Sequence, residues 1–354
     1  MKKLKLLSKL FHNFTTQFIL MTTNQTALKP IHKIGVLTSG GDAPGMNAAL
    51  RSVVRSCAYY KIPCFGIKRG YQGMIENDIK PLGARSVNNI INKGGTILKS
   101  ARSDDFRTKE GRQKAYENLK KNGIDALIVI GGDGSFTGGL IFQQEFGIPV
   151  IGIPGTIDND IFGTSHTIGY DTAMNTVVEA VDKIRDTAIS HNRLFFVEVM
   201  GRDAGHIALN TGIGAGAEEI LIPEEDMGLD RLLDSLKRSK KSGKLSSIVM
   251  VAEGDKIGKN VFELAEHIEE NLPDYEVRVS VLGHMQRGGA PSCFDRVLAS
   301  RMGLKAVEAL RDGVSGNMVG MSDGKMIFTP LDKAIKGESK IDTELVRVSE
   351  IMRL

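Results

Sequence analysis

Short runs of apolar residues recur along the chain, and each is followed by a polar loop that contains glycine and then by a segment with helical spacing. Uninterrupted apolar runs of this length are typical of strands that are buried on both faces of a parallel sheet. The pattern therefore predicts an α/β fold with mainly parallel sheets. The predicted strands are 34–37, 126–130, 150–153, 194–199, 248–251 and 277–282.

The loops after these six runs combine glycine with acidic, basic and histidine side chains. In chain order they read TSGGDAPG, GGDGS, PGTIDND, MGRDAG, AEGD and GHMQRGG. Ligands of open α/β sheets bind outside the carboxyl ends of the strands. The six loops therefore predict one shared ligand-binding cleft.

Composition excludes several classes of protein. The chain has 354 residues, 41% of them apolar and 25% charged, which is typical of a globular protein. Four lysines and no acid within the first twenty residues account for the net charge of +4, so the remainder gives no electrostatic reason to expect a nucleic acid partner. The three cysteines lack CxxC spacing, which disfavours a disulfide framework or a zinc site and favours the cytoplasm.

The first thirty residues precede the first predicted strand. We expect residues 1–30 to be a disordered N-terminal extension. Their basic start and apolar stretch leave a targeting or amphipathic interfacial segment as the alternative. No run of 18 apolar residues occurs, so no membrane span is predicted.

Two loops are suited to binding a nucleotide. Residues 38–45 lead into a helix predicted at 46–59, so backbone N–H groups and a helix N-terminus would face an anion. In the second loop, 131–135, glycines allow close approach to phosphates, and the Asp133 carboxylate can reach Mg²⁺ directly or through water. Each loop has a simpler alternative, a tight strand-to-helix turn and a Gly-Asp turn respectively.

Two further segments carry candidate chemistry. Arg102 would bridge phosphoryl oxygens if its loop folds over the cleft, and is otherwise a solvated surface charge. The loop 154–160 places Thr156, Asp158 and Asp160 close together after a strand. One aspartate would accept a proton from a hydroxyl while the other tunes the charge around Mg²⁺, whereas the alternative is that both only form turns.

Together these motifs resemble the phosphofructokinase family of the bacterial, ATP-dependent type. SGGDAPGMNAA, GGDGS, PGTIDNDI, TIGYDTA, VEVMGR and VLGHMQRGG stand in the family's order, from about residue 34 to about residue 322. The resemblance implies that Asp158 accepts the proton, Asp133 holds magnesium and Thr156 donates a hydrogen bond in the transition state, with Asp160 and Arg202 completing the catalytic set. The implied ATP contacts are Gly41, Arg102, Ser103, Gly132, Asp133, Gly134 and Ser135.

The resemblance also implies a fructose 6-phosphate site. Arginine is suited to a doubly charged phosphate because its guanidinium group binds two oxygens at once. Taken singly, each basic residue of the predicted strand-end loops would be a surface charge, but the resemblance groups them. The implied contacts, besides Thr156 and Asp158, are Arg193, Met200, Gly201, Arg202, Glu253, Arg278, His284 and Arg287. Relatives are homotetramers, and we expect Arg193 and Arg278 to reach the site of a neighbouring subunit.

Two rival functions are considered. Pyrophosphate-dependent relatives carry Asp and Lys where this chain has Gly134 and Gly155, so the sequence favours ATP as the donor. A non-catalytic regulatory subunit would keep the fold but lose catalytic groups. The retention of Asp133, Asp158, Asp160 and Arg102 disfavours that alternative.

An effector site is also implied. Arg51 and Arg55 lie four residues apart on one helix and suit the phosphates of an effector, although they would equally form a solvated stripe. By resemblance, the ADP or phosphoenolpyruvate site also includes Arg185, Gly216, Glu218 and Lys244. Uncharged residues at Ala84, Asn89, Ser242 and Ser246, where well-regulated relatives more often carry charge, lead us to expect a weakened or altered response.

The resemblance predicts two Rossmann-like three-layer lobes with the active site in the cleft between them. The ATP-binding lobe is predicted to comprise 31–168 plus 286–336. The fructose 6-phosphate-binding lobe is predicted to comprise 169–285 plus 337–354.

Overall fold

The computed structural model describes residues 31–191, 193–225, 227–241, 247–258 and 260–352. The strands of this part of the chain are β1 (Ile34–Thr38), β2 (Cys64–Ile67), β3 (Ile79–Leu82), β4 (Ala126–Gly131), β5 (Val150–Thr156), β6 (Ile168–Gly169), β7 (Arg193–Val199), β8 (Glu219–Leu221), β9 (Ser247–Ala252), β10 (Glu276–Val281), β11 (Asn317–Ser322) and β12 (Lys325–Pro330). The α-helices are α1 (Met46–Tyr59), α2 (Gly70–Glu76), α3 (Lys109–Asn122), α4 (Asp133–Phe146), α5 (Tyr170–His191), α6 (His206–Gly214), α7 (Leu229–Lys241), α8 (Val261–Asn271), α9 (Cys293–Arg311), α10 (Leu331–Lys336) and α11 (Thr343–Met352). Short 3₁₀ helices form at Ala84–Val87, Asp105–Arg107 and Gly283–Arg287.

The strands form two sheets. The larger has the order β12-β11-β5-β4-β1-β2-β3, with β6 pairing on β5, and the smaller has the order β10-β7-β9-β8. Neighbouring strands run parallel except for the β2–β3 and β11–β12 pairs, which are antiparallel at the two edges of the larger sheet. The predicted α/β class with mainly parallel sheets is confirmed.

The six predicted strands all form, and their ends differ from the prediction by at most three residues. Helix α1 begins and ends as predicted. The prediction missed β2, β3, β6, β8, β11 and β12, which are short or interrupted by polar residues or proline. A signal for the β11–β12 hairpin was present, because Asp323-Gly324 between two strands is typical of a two-residue turn, and both residues have positive φ.

Alternating residues of the central strands serve two cores. Ile128 and Ile130 of β4 point into a core that also contains Val197 and Met250 of the smaller sheet. The intervening Leu127 and Val129 point into a second core on the opposite face. Because side chains of a strand point alternately to opposite faces, apolar residues at successive positions require a sheet covered on both sides.

The two sheets divide the chain between them. Strands of the larger sheet come from 34–169 and 317–330, and strands of the smaller sheet come from 193–281. The chain returns toward the smaller sheet after α10, and α11 packs on α6. The lobe boundaries given above remain a prediction, and residues 1–30 lie outside the described part of the chain. In that part, no helix is long and apolar enough to span a membrane.

Candidate active site

The PGTIDND loop holds Asp158 at the carboxyl end of β5. The Asp158 N–H donates to Thr156 Oγ1 at 3.2 Å. Asn159 adopts a left-handed backbone conformation (φ 54°), and its Oδ1 accepts the Thr167 N–H at 2.8 Å. Asn159 Nδ2 in turn donates to the carbonyl of Ser165. These bonds turn the loop inward, and Asp158 is only 3% exposed.

Two arginines flank the Asp158 carboxylate. Arg202 Nε lies 3.7 Å from Oδ2, and Arg287 Nη2 lies 3.9 Å from Oδ1. Oδ1 is buried without a hydrogen-bond partner among the described residues. Burial raises the pKa of Asp158, while the charges of Arg287 and Arg202 oppose that rise. A buried carboxylate with a free oxygen is chemically suited to accept a proton from a substrate.

Arg202 also reaches a second acidic residue. Its Nη1 lies 3.5 Å from Asp133 Oδ1. Asp133 is the first residue of α4, and the preceding Gly132 provides no side-chain cap. The unpaired N–H groups of a helix N-terminus attract anions. The start of α4 therefore offers a phosphate site beside a carboxylate.

Asp160 is the third carboxylate of this group. Burial, reinforced by the negative charges of Asp158 and Asp133, raises the pKa of Asp160 to about 6. Asp160 and Asp133 also line a cavity of about 580 Å³, which is closed on one side by the segment that joins α10 to α11. Ser339 of that segment donates a hydrogen bond to the carbonyl of Asn159 at 3.3 Å. The C-terminal crossover thus lies directly against the PGTIDND loop.

The loop after β1 approaches the same cleft through its glycines. Gly41 is exposed, and a Cβ at this position would lie 2.6 Å from Arg287 Nη1. Arg287 Nη1 donates to the carbonyl of Asp42 at 3.3 Å. A side chain at 41 would displace the Arg287 guanidinium group, so glycine here leaves Arg287 in its position near Asp158.

The expectation that the N-terminus of α1 faces a ligand is wrong. Gly45 and Met46 are buried, and a Cβ on Gly45 would lie 2.6 Å from Ile168 of β6. Met46 N–H is already bonded to the Ala43 carbonyl. Helix α1 packs against the chain at this end, which leaves Gly40 and Gly41 as the exposed part of the loop.

The remaining residues implied as ATP contacts differ in exposure and in hydrogen bonding. Arg102 is exposed. Ser103 Oγ donates to Gln72 Oε1 at 2.7 Å and accepts the Phe106 N–H, so its hydroxyl already stabilises its own loop. Ser135 is buried, and its carbonyl accepts a hydrogen bond from Tyr71. A Cβ on Gly134 would meet no atom within 4 Å, so the space beside Asp133 is open.

The MGR loop after β7 is held by side chains from two other strand ends. Glu253 Oε1 accepts the N–H groups of Gly201 and Arg202 at 3.3 and 2.8 Å. Gln286 Oε1 accepts the Met200 N–H at 3.3 Å. The loop predictions did not single out Gln286, although the letters GHMQRGG contained it.

Arg193 and Arg278 differ in position from the other predicted phosphate ligands. They were expected in or beside strand-end loops, but Arg193 is the first residue of β7 and Arg278 lies within β10. Both pair with the carboxylate of Glu276, with Arg193 Nη2 at 3.0 Å from Oε1. Val199 lies at the cleft end of β7. The strand rises about 3.3 Å per residue, so the six residue steps from Arg193 to Val199 span roughly 20 Å. Arg278 pairs with Phe195, four steps or roughly 13 Å from Val199. Both arginines therefore lie away from the cleft end of β7, whereas the exposed His284 stands in the 3₁₀ helix beside Arg287.

The residues implied as effector ligands fall into separate groups. Arg51 and Arg55 line a cavity of about 400 Å³, and burial with the neighbouring charge of Arg55 lowers the pKa of Arg51. Elsewhere, Arg185 donates to the carbonyls of Ala215 and Gly216 at 2.5 and 2.8 Å. Glu218 is buried, and its Oε2 accepts the Ile248 N–H at 2.5 Å. Lys244, Ser242 and Ser246 lie outside the described residues.

Comparison with known proteins gives consistent matches. Residues 33–310 match the Phosphofructokinase family. The chain is 53% identical over 315 residues to ATP-dependent 6-phosphofructokinase 2 of Bacteroides thetaiotaomicron, covering 89% of this chain and 96% of that protein. It is 54% identical over 322 residues to ATP-dependent 6-phosphofructokinase 1 of Thermus thermophilus, covering 91% and 99% respectively.

Solved structures agree in fold. Phosphofructokinase from Saccharomyces cerevisiae is 35% identical with a TM-score of 0.82, and the match covers 91% of this chain and about half, 47%, of the yeast chain. A pyrophosphate-dependent phosphofructokinase from Marinobacter aquaeolei is 22% identical with a TM-score of 0.76, covering 88% and 86%, and this likeness concerns the fold alone. Since the family match spans most of the chain and close relatives match over nearly their whole length, the chain belongs to the phosphofructokinase family.

Proposed function

We propose that the protein is an ATP-dependent 6-phosphofructokinase of the bacterial type, acting in glycolysis in the cytoplasm. It transfers the γ-phosphoryl group of Mg-ATP to the 1-hydroxyl of fructose 6-phosphate and releases ADP and fructose 1,6-bisphosphate. The observation that carries the proposal is the placement of Asp158 and Asp133 on either side of one arginine, Arg202. A proton acceptor and a phosphate site thus share one cleft.

Asp158 acts as the general base. Its free Oδ1 accepts the proton of the sugar hydroxyl as the bond to phosphorus forms. Burial raises the pKa of Asp158, and the charges of Arg287 and Arg202 oppose this rise and so favour the ionised form that a base needs. Thr156 donates to the transferred group, and Asp160 adjusts the local charge.

The triphosphate lies along the N-terminus of α4, where Gly132, Gly134 and Ser135 present backbone N–H groups. Arg102, Ser103 and Gly41 complete the ATP contacts. No group of three His, Cys, Asp or Glu residues in the described ranges is arranged to hold a metal ion by itself. A single carboxylate such as Asp133 fits Mg²⁺, which usually takes one or two carboxylates and completes its coordination with water and phosphate oxygens. The ion would neutralise charge on the phosphates.

We assign ATP as the donor because the space around Gly134 is open and can accept the phosphate chain of a nucleotide. A carboxylate side chain there would stand next to Asp133, in the space that an extended triphosphate needs. Gly155 is different, since a Cβ on it would lie 3.2 Å from Ile130 and Met46 in the core. Glycine at 155 therefore also fits the tight packing against Ile130 and Met46.

Fructose 6-phosphate binds between the loops after β7, β9 and β10, with Met200, Gly201, Glu253, His284 and Arg287 around the sugar. Its 6-phosphate is bound by Arg193 and Arg278 of a neighbouring subunit in a homotetramer. The distance of these two arginines from the cleft of their own chain supports this assignment. Arg278 also lies at an exposed edge, because β10 is the outer strand of the smaller sheet, and Arg193 stands on the adjacent β7, where it pairs with Glu276 of β10.

ADP or phosphoenolpyruvate acts as the effector at the cavity of Arg51 and Arg55. Two cationic side chains of one helix line this cavity of about 400 Å³, which suits a phosphate-bearing ligand. Arg185, Gly216, Glu218 and Lys244 complete this site, and the response is weakened or altered. The carboxylate of Glu218 is already bonded to the backbone of β9, which supports a weak contribution to ligand binding.

A coupled assay tests the proposal. Purified protein is given fructose 6-phosphate and Mg²⁺ with either ATP or pyrophosphate, with and without ADP. Activity with ATP and none with pyrophosphate is expected, together with a small ADP effect. Activity with pyrophosphate alone would identify the rival donor, and nucleotide binding without turnover would identify a non-catalytic subunit. Strong ADP activation would contradict the weakened response.

A further inference from the structure

Gln286 is a wholly buried amide between the loops that carry the two arginines beside Asp158. Its side chain is 0% exposed. Oε1 accepts the Met200 N–H at 3.3 Å, and Nε2 donates to the Gly283 carbonyl at 3.0 Å. A buried amide is costly unless both of its ends are bonded, so these two bonds fix where the side chain lies.

The loop that Gln286 reaches has an unfavourable backbone. Gly201 has φ 144° and Arg202 has φ 54°. A non-glycine residue with positive φ is strained and persists only where the surroundings hold it. Here Gln286 binds the N–H of residue 200, and Glu253 binds those of residues 201 and 202. Three successive N–H groups are thus held by two side chains.

Gln286 is also the neighbour of Arg287 on the same 3₁₀ helix. One buried side chain therefore connects the backbone of Arg287 to the loop of Arg202. The two guanidinium groups lie against opposite oxygens of Asp158, at 3.9 and 3.7 Å. Other charges near this carboxylate are Glu253 and Asp160, with Asp133 beyond Arg202.

We infer that Gln286 is a positioning residue that sets the separation of Arg202 and Arg287 across Asp158. This inference rests on the proposed function, since it concerns the ionisation and placement of the proposed base. Gln286 itself touches neither the base nor the arginine side chains in the described contacts. It acts through the backbone of residue 200 and through its own 3₁₀ helix.

The test is the variant Gln286→Met, which keeps the length of the side chain and removes both hydrogen bonds. We expect kcat to fall about 10- to 100-fold, because small misplacements of catalytic groups have effects of that size. The KM for fructose 6-phosphate should rise, and the KM for ATP should change less than about twofold. The acid limb of the kcat profile should move to higher pH, since Asp158 loses well-placed positive neighbours.

A matched control is Gln143→Met. Gln143 Oε1 likewise accepts a backbone N–H, that of Val150 at 3.0 Å, but at the start of β5, the end opposite Thr156. The control should lose thermal stability without a change in kcat or in the acid limb. If Gln286→Met behaves in the same way as this control, Gln286 is only structural and the inference is overturned.

A second variant keeps the test decisive if Gln286→Met does not fold. Gln286→Asn retains the amide but is one methylene shorter, so it reaches at most one of the two partners. A lower kcat and a shifted acid limb support the inference, and wild-type values contradict it. If the wild-type protein itself fails to phosphorylate fructose 6-phosphate, the proposed function is wrong and the inference falls with it, whereas a defect limited to the Gln286 variants concerns the inference alone.

Discussion

Asp133 and Asp158 lie on either side of the Arg202 guanidinium group, which is 3.5 Å from the first carboxylate and 3.7 Å from the second. The two aspartates follow neighbouring parallel strands, β4 and β5, whose paired residues run to Gly131 and Pro154. Strands paired in this register end at the same edge of the sheet. The candidate base and the candidate magnesium residue are therefore in one cleft, and the arginine between them comes from the smaller sheet.

Removing the base should affect turnover more than binding. For Asp158→Ser we expect kcat to fall about 10²- to 10⁴-fold with little change in KM, because a general base acts mainly in the transition state. Steady-state kinetics with ATP and fructose 6-phosphate measure both values. Asp182→Ser, at an exposed position of α5, serves as the control. A near-normal kcat for Asp158→Ser would mean that another group takes the proton.

Asp160 should make stability depend on pH. Its pKa is raised to about 6 in the fold, so the fold disfavours its ionised form. The stability that the protonated group contributes is fully present below pH about 4 and is lost as the pH rises through about 6. Asp160→Asn cannot ionise, and it should be more stable than the wild type at pH 7.5 by at most about 3 kcal/mol.

Thermal unfolding without Mg²⁺ or nucleotide measures this effect. The difference in Tm between Asp160→Asn and the wild type should be larger at pH 7.5 than at pH 4.5. Asp182→Asn, which changes an exposed carboxylate, should show the same difference at both pH values. If the difference in Tm between Asp160→Asn and the wild type does not vary with pH, the fold does not disfavour the ionised form of Asp160.

The phosphate arginines should act between subunits. Arg278→Ser should raise the KM for fructose 6-phosphate, because losing one partner of a charge-assisted bond costs about 2–5 kcal/mol. Chains with Arg278→Ser and chains with Asp158→Ser are each expected to be nearly inactive at low fructose 6-phosphate. Refolded together, they should recover part of the activity, since some sites would combine an intact Asp158 with an intact Arg278.

The mixing experiment distinguishes the two arrangements directly. If Arg278 served the cleft of its own chain, every subunit of a hybrid would still have one defect and no activity would return. Size-exclusion chromatography of the mixture shows whether hybrids have the mass of a tetramer. An unchanged KM for Arg278→Ser would remove this arginine from the site altogether.

Gly134 should determine whether ATP is accepted. Gly134→Asp places a carboxylate in the open space beside Asp133, where it would repel the triphosphate. We expect the KM for ATP to rise at least about tenfold, a change of about 1.4 kcal/mol, while Tm stays near that of the wild type because a Cβ at 134 meets nothing. Gly134→Ala is the uncharged control and should have a small effect. Equal effects of the two variants would show that bulk, and not charge, excludes the donor.

Local pattern was enough to identify six of the twelve strands that the structure describes. The apolar runs predicted the six main strands because continuous burial needs apolar side chains at successive positions, whichever sheet they join. The loops with Asp133 and Asp158 could be placed at a common edge from the order of strands and helices alone. Short strands such as β2 and β8 were missed, since their few residues depend on pairing with distant strands more than on their own pattern.

The sequence by itself determined which groups are available: a carboxylate for the proton, a glycine-rich helix start for phosphates and a set of arginines. Only the tertiary structure decided which arginines meet the base, because Arg202 and Arg287 are remote from Asp158 in sequence and reach it from other strands. Tertiary packing also buries Asp158 and Asp160, which raises the pKa of both carboxyl groups. It buries the N-terminus of α1, and it places Arg193 and Arg278 away from the cleft end of their strands. Proximity and burial arise from packing between distant segments, and no local pattern of residues specifies them.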